Sequence, residues 1–183
     1  FTLPMLAGVD LVLASPQDFM ASPARWTEWI SRFGGTCTAG PNFSYALAAR
    51  ALRRASNLDL SRWRVALNGA EPVNPTTVRD FTEAAAAFGM DPGAAFPAFG
   101  MAELAIAGTF PTPGSGLRVD AVDARMVEHD RFARPVLDEN DEGAKGFALL
   151  GRPIPGLEIR ITDTTTGSPM RDREVGELEI SGT

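Results

Sequence analysis

Glu103 is the lone carboxylate in "FPAFGMAEL", residues 96–104, a run otherwise apolar or small. Such a site suits magnesium, a hard cation that takes one or two carboxylates and completes its shell with water and substrate phosphates. Phe99 offers a flat face for stacking on a ring. A second loop, "NGAEPV" at 68–73, carries Glu71. Gly69 and Gly100 would let backbone come close to a ligand with no Cβ in the way. A plainer reading of the same residues puts Phe96 and Phe99 in the core and Glu103 in solvent.

Other constellations carry less. His129 and Cys37 are the sole residues of their kinds, so they cannot build a zinc site by themselves. They could pair as base and nucleophile, and Asp130 adjoins His129, but neighbours in sequence need not converge in space. Asp138, Glu139, Asp141 and Glu142 form an acidic loop without the spacing of a calcium-binding loop. "GAKG" at 143–146 lies in that loop, without the strand-to-helix context of a phosphate cradle.

Periodicity indicates the elements that must position Glu103. Val9–Leu13 reads as a short buried strand. Ser22, with Pro23 behind it, reads as the cap of a helix that carries Trp26, Trp29, Ile30 and Phe33 on one face and stops at Gly34–Gly35. "TCTA" (36–39) reads as a strand. Residues 42–54 read as a helix with Leu47, Ala48, Ala51 and Leu52 inward, and 63–68 as the next strand. Asn74 and Pro75 open a third helix, with Val78, Phe81, Ala85 and Phe88 buried and Gly89 closing it. Residues 94–99 are extended, and Pro97 predicts an edge or an irregular end.

Strands alternating with helices predict an α/β fold over residues 1–110, a mostly parallel sheet with flanking helices. Both loops then leave the carboxyl ends of strands, the edge at which such sheets bind ligands. After "PTPGSG" the helical period stops. Residues 147–150, 157–161 and 176–180 read as strands, so 111–183 is expected to be β-rich.

Net charge is −6, from 17 basic and 23 acidic residues, which argues against a nucleic-acid partner. No run approaches the length of a membrane helix, so no membrane insertion is expected. The opening "FTLPMLAGVDLVLA" is broken by Pro4, Gly8 and Asp10 and lacks a preceding basic region, unlike a signal peptide. One cysteine permits no internal disulfide, which fits a cytoplasmic protein. The missing initiator Met and the stop within "ELEISGT" suggest a piece of a longer chain.

The run "LNGAEPVNPTTVRDFTEAAAAFGMDPGAAFPAFGMAELAIAGTFP" (67–111) closely resembles the adenylate-forming enzymes. It is most similar to the fatty acyl-AMP ligases, which show N-G-A-E-P-V, a helix, then Y-G-L-A-E. "GRPIPGLEIRITD" (151–163) and "VGELEISG" (175–182) resemble later motifs of that superfamily. "PNFSYALAAR" (41–50) resembles the acyl-AMP ligases more than the acyl-CoA ligases.

The resemblance implies part of the large N-terminal domain of an enzyme that joins a fatty acid to ATP, giving acyl-AMP and pyrophosphate. Mg²⁺ would be the metal, and an acyl carrier protein or polyketide synthase the acceptor. By the same resemblance Asn68, Gly69, Ala70 and Glu71 would line the adenine, largely through backbone. Phe99, where the family usually has tyrosine, would pack on the adenine face. Gly100 and Met101 would form the turn. Ala102 stands where many acyl-CoA ligases carry a phosphate-contacting threonine. Glu103 would hold Mg²⁺ and serve as the catalytic carboxylate.

Residues 117–146 are similar to a family insertion thought to limit movement of the C-terminal domain. Trp26, Trp29, Phe43, Tyr45 and Leu47 are candidates to line an acyl channel, with simple core as the alternative. The family's phosphate loop, ribose-binding aspartate and catalytic lysine are not found in the sequence, so this piece alone is expected to be inactive. A long-chain fatty acyl-CoA ligase and a non-catalytic nucleotide- or acyl-binding module remain as alternatives.

Overall fold

Residues 2–182 are described by a computed structural model. Three helices come first: α1 (Thr2–Ala7), α2 (Pro16–Ala21) and α3 (Ala24–Phe33). Val9–Leu13, expected as a strand, joins no strand and is exposed, Val12 by 52%. An apolar run becomes a buried strand only beside a pairing partner, and none of the described residues supplies one. The following Ser15 caps α2, its hydroxyl accepting from Asp18 N at 3.1 Å.

Ser22 does not cap α3. It closes α2, whose last turn abuts the next helix, and Pro23 takes the N-cap position of α3. Phe33 also departs from expectation and is exposed, while Thr27 is buried with its hydroxyl donating to Ala24 O at 3.0 Å. Gly34 ends α3 in the left-handed conformation, as its position predicts.

The central unit runs β1 (Cys37–Gly40), α4 (Asn42–Leu52), β2 (Val65–Asn68), α5 (Pro75–Ala86) and β3 (Ala95–Pro97). The strands pair in parallel in the order β1-β2-β3. Pro97, which cannot donate to a ladder, sits on β3 at the edge of that sheet. Helix α4 packs against α5 and α3. It buries Ser44, Tyr45, Ala48, Ala49 and Leu52, with Leu47 and Ala51 only half-buried.

A closed ring of aromatic contacts fills the space beneath these helices. Trp26 meets Tyr45 at 5.1 Å and Trp63 at 5.7 Å between centroids, and Phe81 meets the same two at 4.9 and 5.5 Å, all edge-to-face. Such pairs contribute about 0.5–1.5 kcal/mol each beyond area burial. The Tyr45 hydroxyl donates to Leu67 O at 2.7 Å. Burial pushes this phenol far above its ordinary pKa, so it stays a protonated donor.

Beyond this unit the chain is β-rich, as expected. Antiparallel pairs form between β4 (Thr109–Phe110) and, further on, Arg152–Pro153 as β7, with β5 (Val119–Asp123) on β6 (Ala144–Ala148) between them in sequence. Leu157–Thr162 (β8) pairs with Glu177–Gly182 (β9). Strand β6 starts earlier than the expected 147–150 because its register runs Asp123 to Ala144 through Val119 to Ala148. A π-helical turn, Met126–Asp130, lies between β5 and β6. The segment is tied at both ends: Glu139 pairs with Arg79 of α5, and Asp120 pairs with Arg173. No helix among the described residues is long and apolar enough to cross a membrane.

Asn74 caps α5 as the sequence predicts, its side-chain oxygen accepting from Thr76 N at 2.9 Å and Thr77 N at 3.2 Å. Asn74→Ala is expected to lower unfolding free energy by about 1 kcal/mol, and Asn74→Asp by much less. Urea unfolding of the purified protein measures both; an unchanged Asn74→Ala midpoint contradicts the capping role.

Candidate active site

The parallel register places Gly40, Asn68 and Pro97 level across the carboxyl end of the sheet. Loops 69–74 and 98–108 therefore leave neighbouring strands about 5 Å apart. Two backbone bonds tie the exits together: Gly69 N donates to Gly40 O at 3.3 Å, and Ala98 N to Asn68 O at 2.9 Å. The two stretches that the sequence singled out thus come together at one edge.

Gly69 and Gly100 are required there for a reason other than ligand approach. A Cβ on Gly69 would sit 2.9 Å from Ala98 O, and one on Gly100 would overlap Ile106 O. Both glycines let the protein backbone close on itself.

The loop bearing Glu103 is shut at its base. Phe99 N donates to Thr109 O at 3.2 Å, and Thr109 N returns to Phe99 O at 2.9 Å. Inside it, Met101 O accepts from Leu104 N and Ile106 N, both at 3.0 Å. A short 3₁₀ turn, Ala102–Leu104, presents Glu103 to solvent. Ala105 and Ile106 follow with φ of 49° and 82°. For a β-branched residue this conformation is strained by about 1–3 kcal/mol. Met101 and Ala102 are exposed beside Glu103, and Phe99 is half-buried. Phe96 is core, its ring packed on Phe110 at 5.7 Å.

Glu103 forms no ion pair among the described residues. No three His, Cys, Asp or Glu side chains among them assemble around a common point. A cation here would have one protein carboxylate and take its other ligands from water and phosphate, as magnesium does.

The other loop is held from below by the first turn of α4. Ala70 is left-handed, with φ 66°. Glu71 turns its carboxylate onto α4 and accepts from Phe43 N at 2.7 Å. Pro41, at the N-cap position of that helix, makes no side-chain cap bond, so Glu71 satisfies a helix-end donor from a distant loop. Asn68 is 2% exposed, and its Nδ2 donates to Asn42 Oδ1 at 3.2 Å. Its own Oδ1 is buried without a partner, which costs about 1–3 kcal/mol.

The sequence marks the stretch 41–50 by its resemblance and names Phe43 and Tyr45, but gives Asn42 no role of its own; its local signal is an Asn after Pro41 at the start of a helical period. Of the channel candidates, Tyr45 is core and Trp26 packs on it, Trp29 and Leu47 are half-buried, and Phe43 is exposed.

The fold has close parallels among known proteins. The Mycobacterium tuberculosis protein Rv1013 is 42% identical over 184 residues, covering 99% of this chain and 33% of the relative. A medium-chain-fatty-acid–[acyl-carrier-protein] ligase, JamA of Moorena producens, is 33% identical over 97% of this chain and 30% of its own length. The crystal structure of a fatty acid AMP ligase from Legionella pneumophila superposes with a TM-score of 0.90 at 30% identity, over 98% of this chain and 31% of that one. The chain thus spans about a third of the length of the relatives it matches, and its fold is that of part of the N-terminal domain of adenylate-forming enzymes. The model of the AMP-binding enzyme family matches residues 1–183, and the chain belongs to that family.

Proposed function

We propose that the chain is the nucleotide-gripping part of a fatty acyl-AMP ligase. The whole protein would join a fatty acid carboxylate to the α-phosphate of ATP, expel pyrophosphate, and pass the acyl group to a carrier protein in the cytoplasm. The observation that carries this reading is the meeting of loops 68–71 and 99–103 at one sheet edge, with Glu103 exposed and unpaired among the described residues.

Each residue then has a task. Asn68, Gly69, Ala70 and Glu71 form one wall of the adenine site, with Glu71 engaged through its backbone because its carboxylate is committed to Phe43 N. Phe99 offers a ring face without the hydroxyl of a tyrosine. Gly100 and Met101 make the turn, and Ala102 brings no hydroxyl to the phosphates. Glu103 is the chain's ligand for Mg²⁺, which when bound offsets the charge of two anions brought together. Orientation by these loops supplies much of the remaining acceleration. Exclusion of water protects the mixed anhydride product.

Glu103→Gln in the full-length protein is expected to lower fatty-acid-dependent ATP–pyrophosphate exchange by about 10²-fold or more, the range for losing one charge-stabilising group. Exchange unchanged at limiting Mg²⁺ contradicts the metal role.

Residues 111–183 form the second unit of this reading, in which 117–146 restrain the C-terminal domain. The ion pair of Glu139 with Arg79 and that of Asp120 with Arg173 support such a strut. Glu139→Lys reverses the charge facing Arg79 and is expected to raise acyl-CoA formation relative to carrier loading. No gain in thioester with CoA leaves the strut without that role, while efficient acyl-CoA synthesis by the unaltered enzyme favours an acyl-CoA ligase.

A further inference from the structure

Resting on the adenylation reading above, we infer that Asn42 is a positioning residue for ATP, acting through loop 68–74. Its single side-chain oxygen accepts from Asn68 Nδ2 at 3.2 Å and from Asn74 N at 3.1 Å. These donors stand at the two ends of the adenine loop. The middle is fastened to the same helix turn by Glu71 on Phe43 N. One turn of α4 therefore fixes the start, centre and end of a seven-residue loop, 68–74.

The chemistry fixes the orientation of both amides. Asn74 N–H can only donate, so the Asn42 atom facing it must be oxygen. That oxygen then requires a donor from Asn68, which turns Nδ2 toward it and leaves Oδ1 as the orphan. Asn42 thus acts as an acceptor only, and its Nδ2 makes no hydrogen bond among the described residues. A carboxylate at position 42 keeps both bonds and lies favourably at a helix N-terminus. A carboxylate at 68 loses the donor, faces another acceptor and buries a charge.

A loop released at both ends must be ordered when the nucleotide binds, which weakens apparent affinity by the fraction of loop that is competent. Once ATP is bound, the reacting groups are placed as before. Asn42→Ala is therefore expected to raise KM for ATP about tenfold, leaving KM for the fatty acid and kcat at saturating ATP within about twofold. Asn42→Asp should stay near the unaltered enzyme, and Asn68→Asp should fail like Asn42→Ala.

The test is ATP–pyrophosphate exchange by the full-length protein and these three variants, with amide hydrogen exchange over residues 69–74 measured in parallel. Faster amide exchange with raised KM for ATP in Asn42→Ala, both restored in Asn42→Asp, supports the assignment. A KM for ATP that does not move in Asn42→Ala, or an Asn42→Asp variant equally impaired, overturns it. Should the unaltered protein show no fatty-acid-dependent exchange, the adenylation reading falls. The loop clamp is then judged by amide protection alone and fails if Asn42→Ala leaves it unchanged.

Discussion

Gly40, Asn68 and Pro97 stand in one row because three parallel strands share a register, and everything at this edge follows from that row. A parallel ladder needs a crossover between each pair of strands, supplied here by α4 and α5, so each strand end releases the chain on the same side. Loops that leave from adjacent strands are then neighbours before any side chain is chosen. A slip of one residue in either ladder would turn the faces of the strand over and carry Asn68 away from Asn42.

Aromatic packing between the helices and β2 supports that register. Trp26, Tyr45, Trp63 and Phe81 draw α3, α4, α5 and the approach to β2 onto one cluster. Tyr45 then reaches the backbone of β2 itself, at Leu67, one residue before loop 68–74. The residues that hold the core and those that shape the loop therefore share the first turn of α4: Asn42 and Phe43 at its mouth, Tyr45 within. The left-handed residues Ala70, Ala105 and Ile106 lie at the exposed outer rim of these loops.

Much of this was legible in the residues. The helix beginning at Asn74–Pro75, the Gly34 stop, the alternation of strands and helices and the β-rich second half all rest on local chemistry. The meeting of the two loops followed from topology alone. What escaped was long-range or depended on cover. Val9–Leu13 has a strand's composition but no partner among the described residues, and Ser22 has a cap's identity but lies where one helix ends against another. The sequence marks Gly69 and Gly100 as positions where backbone could approach a ligand; the atoms that press on them in the structure belong to Ala98 and Ile106. The bonds of Asn42 to Asn68 and Asn74, and of Glu71 to Phe43, span 26 to 32 residues of sequence, a separation at which no local pattern speaks.

The aromatic cluster also gives the molecule an optical character. Two indoles stand 5.7 Å apart in a packed setting, close enough for their intense far-ultraviolet transitions to couple and to produce a dichroic couplet. Because Tyr45 links that assembly to β2 through Leu67 O, the chiral signal reports the packing of the helices on the sheet without any added dye.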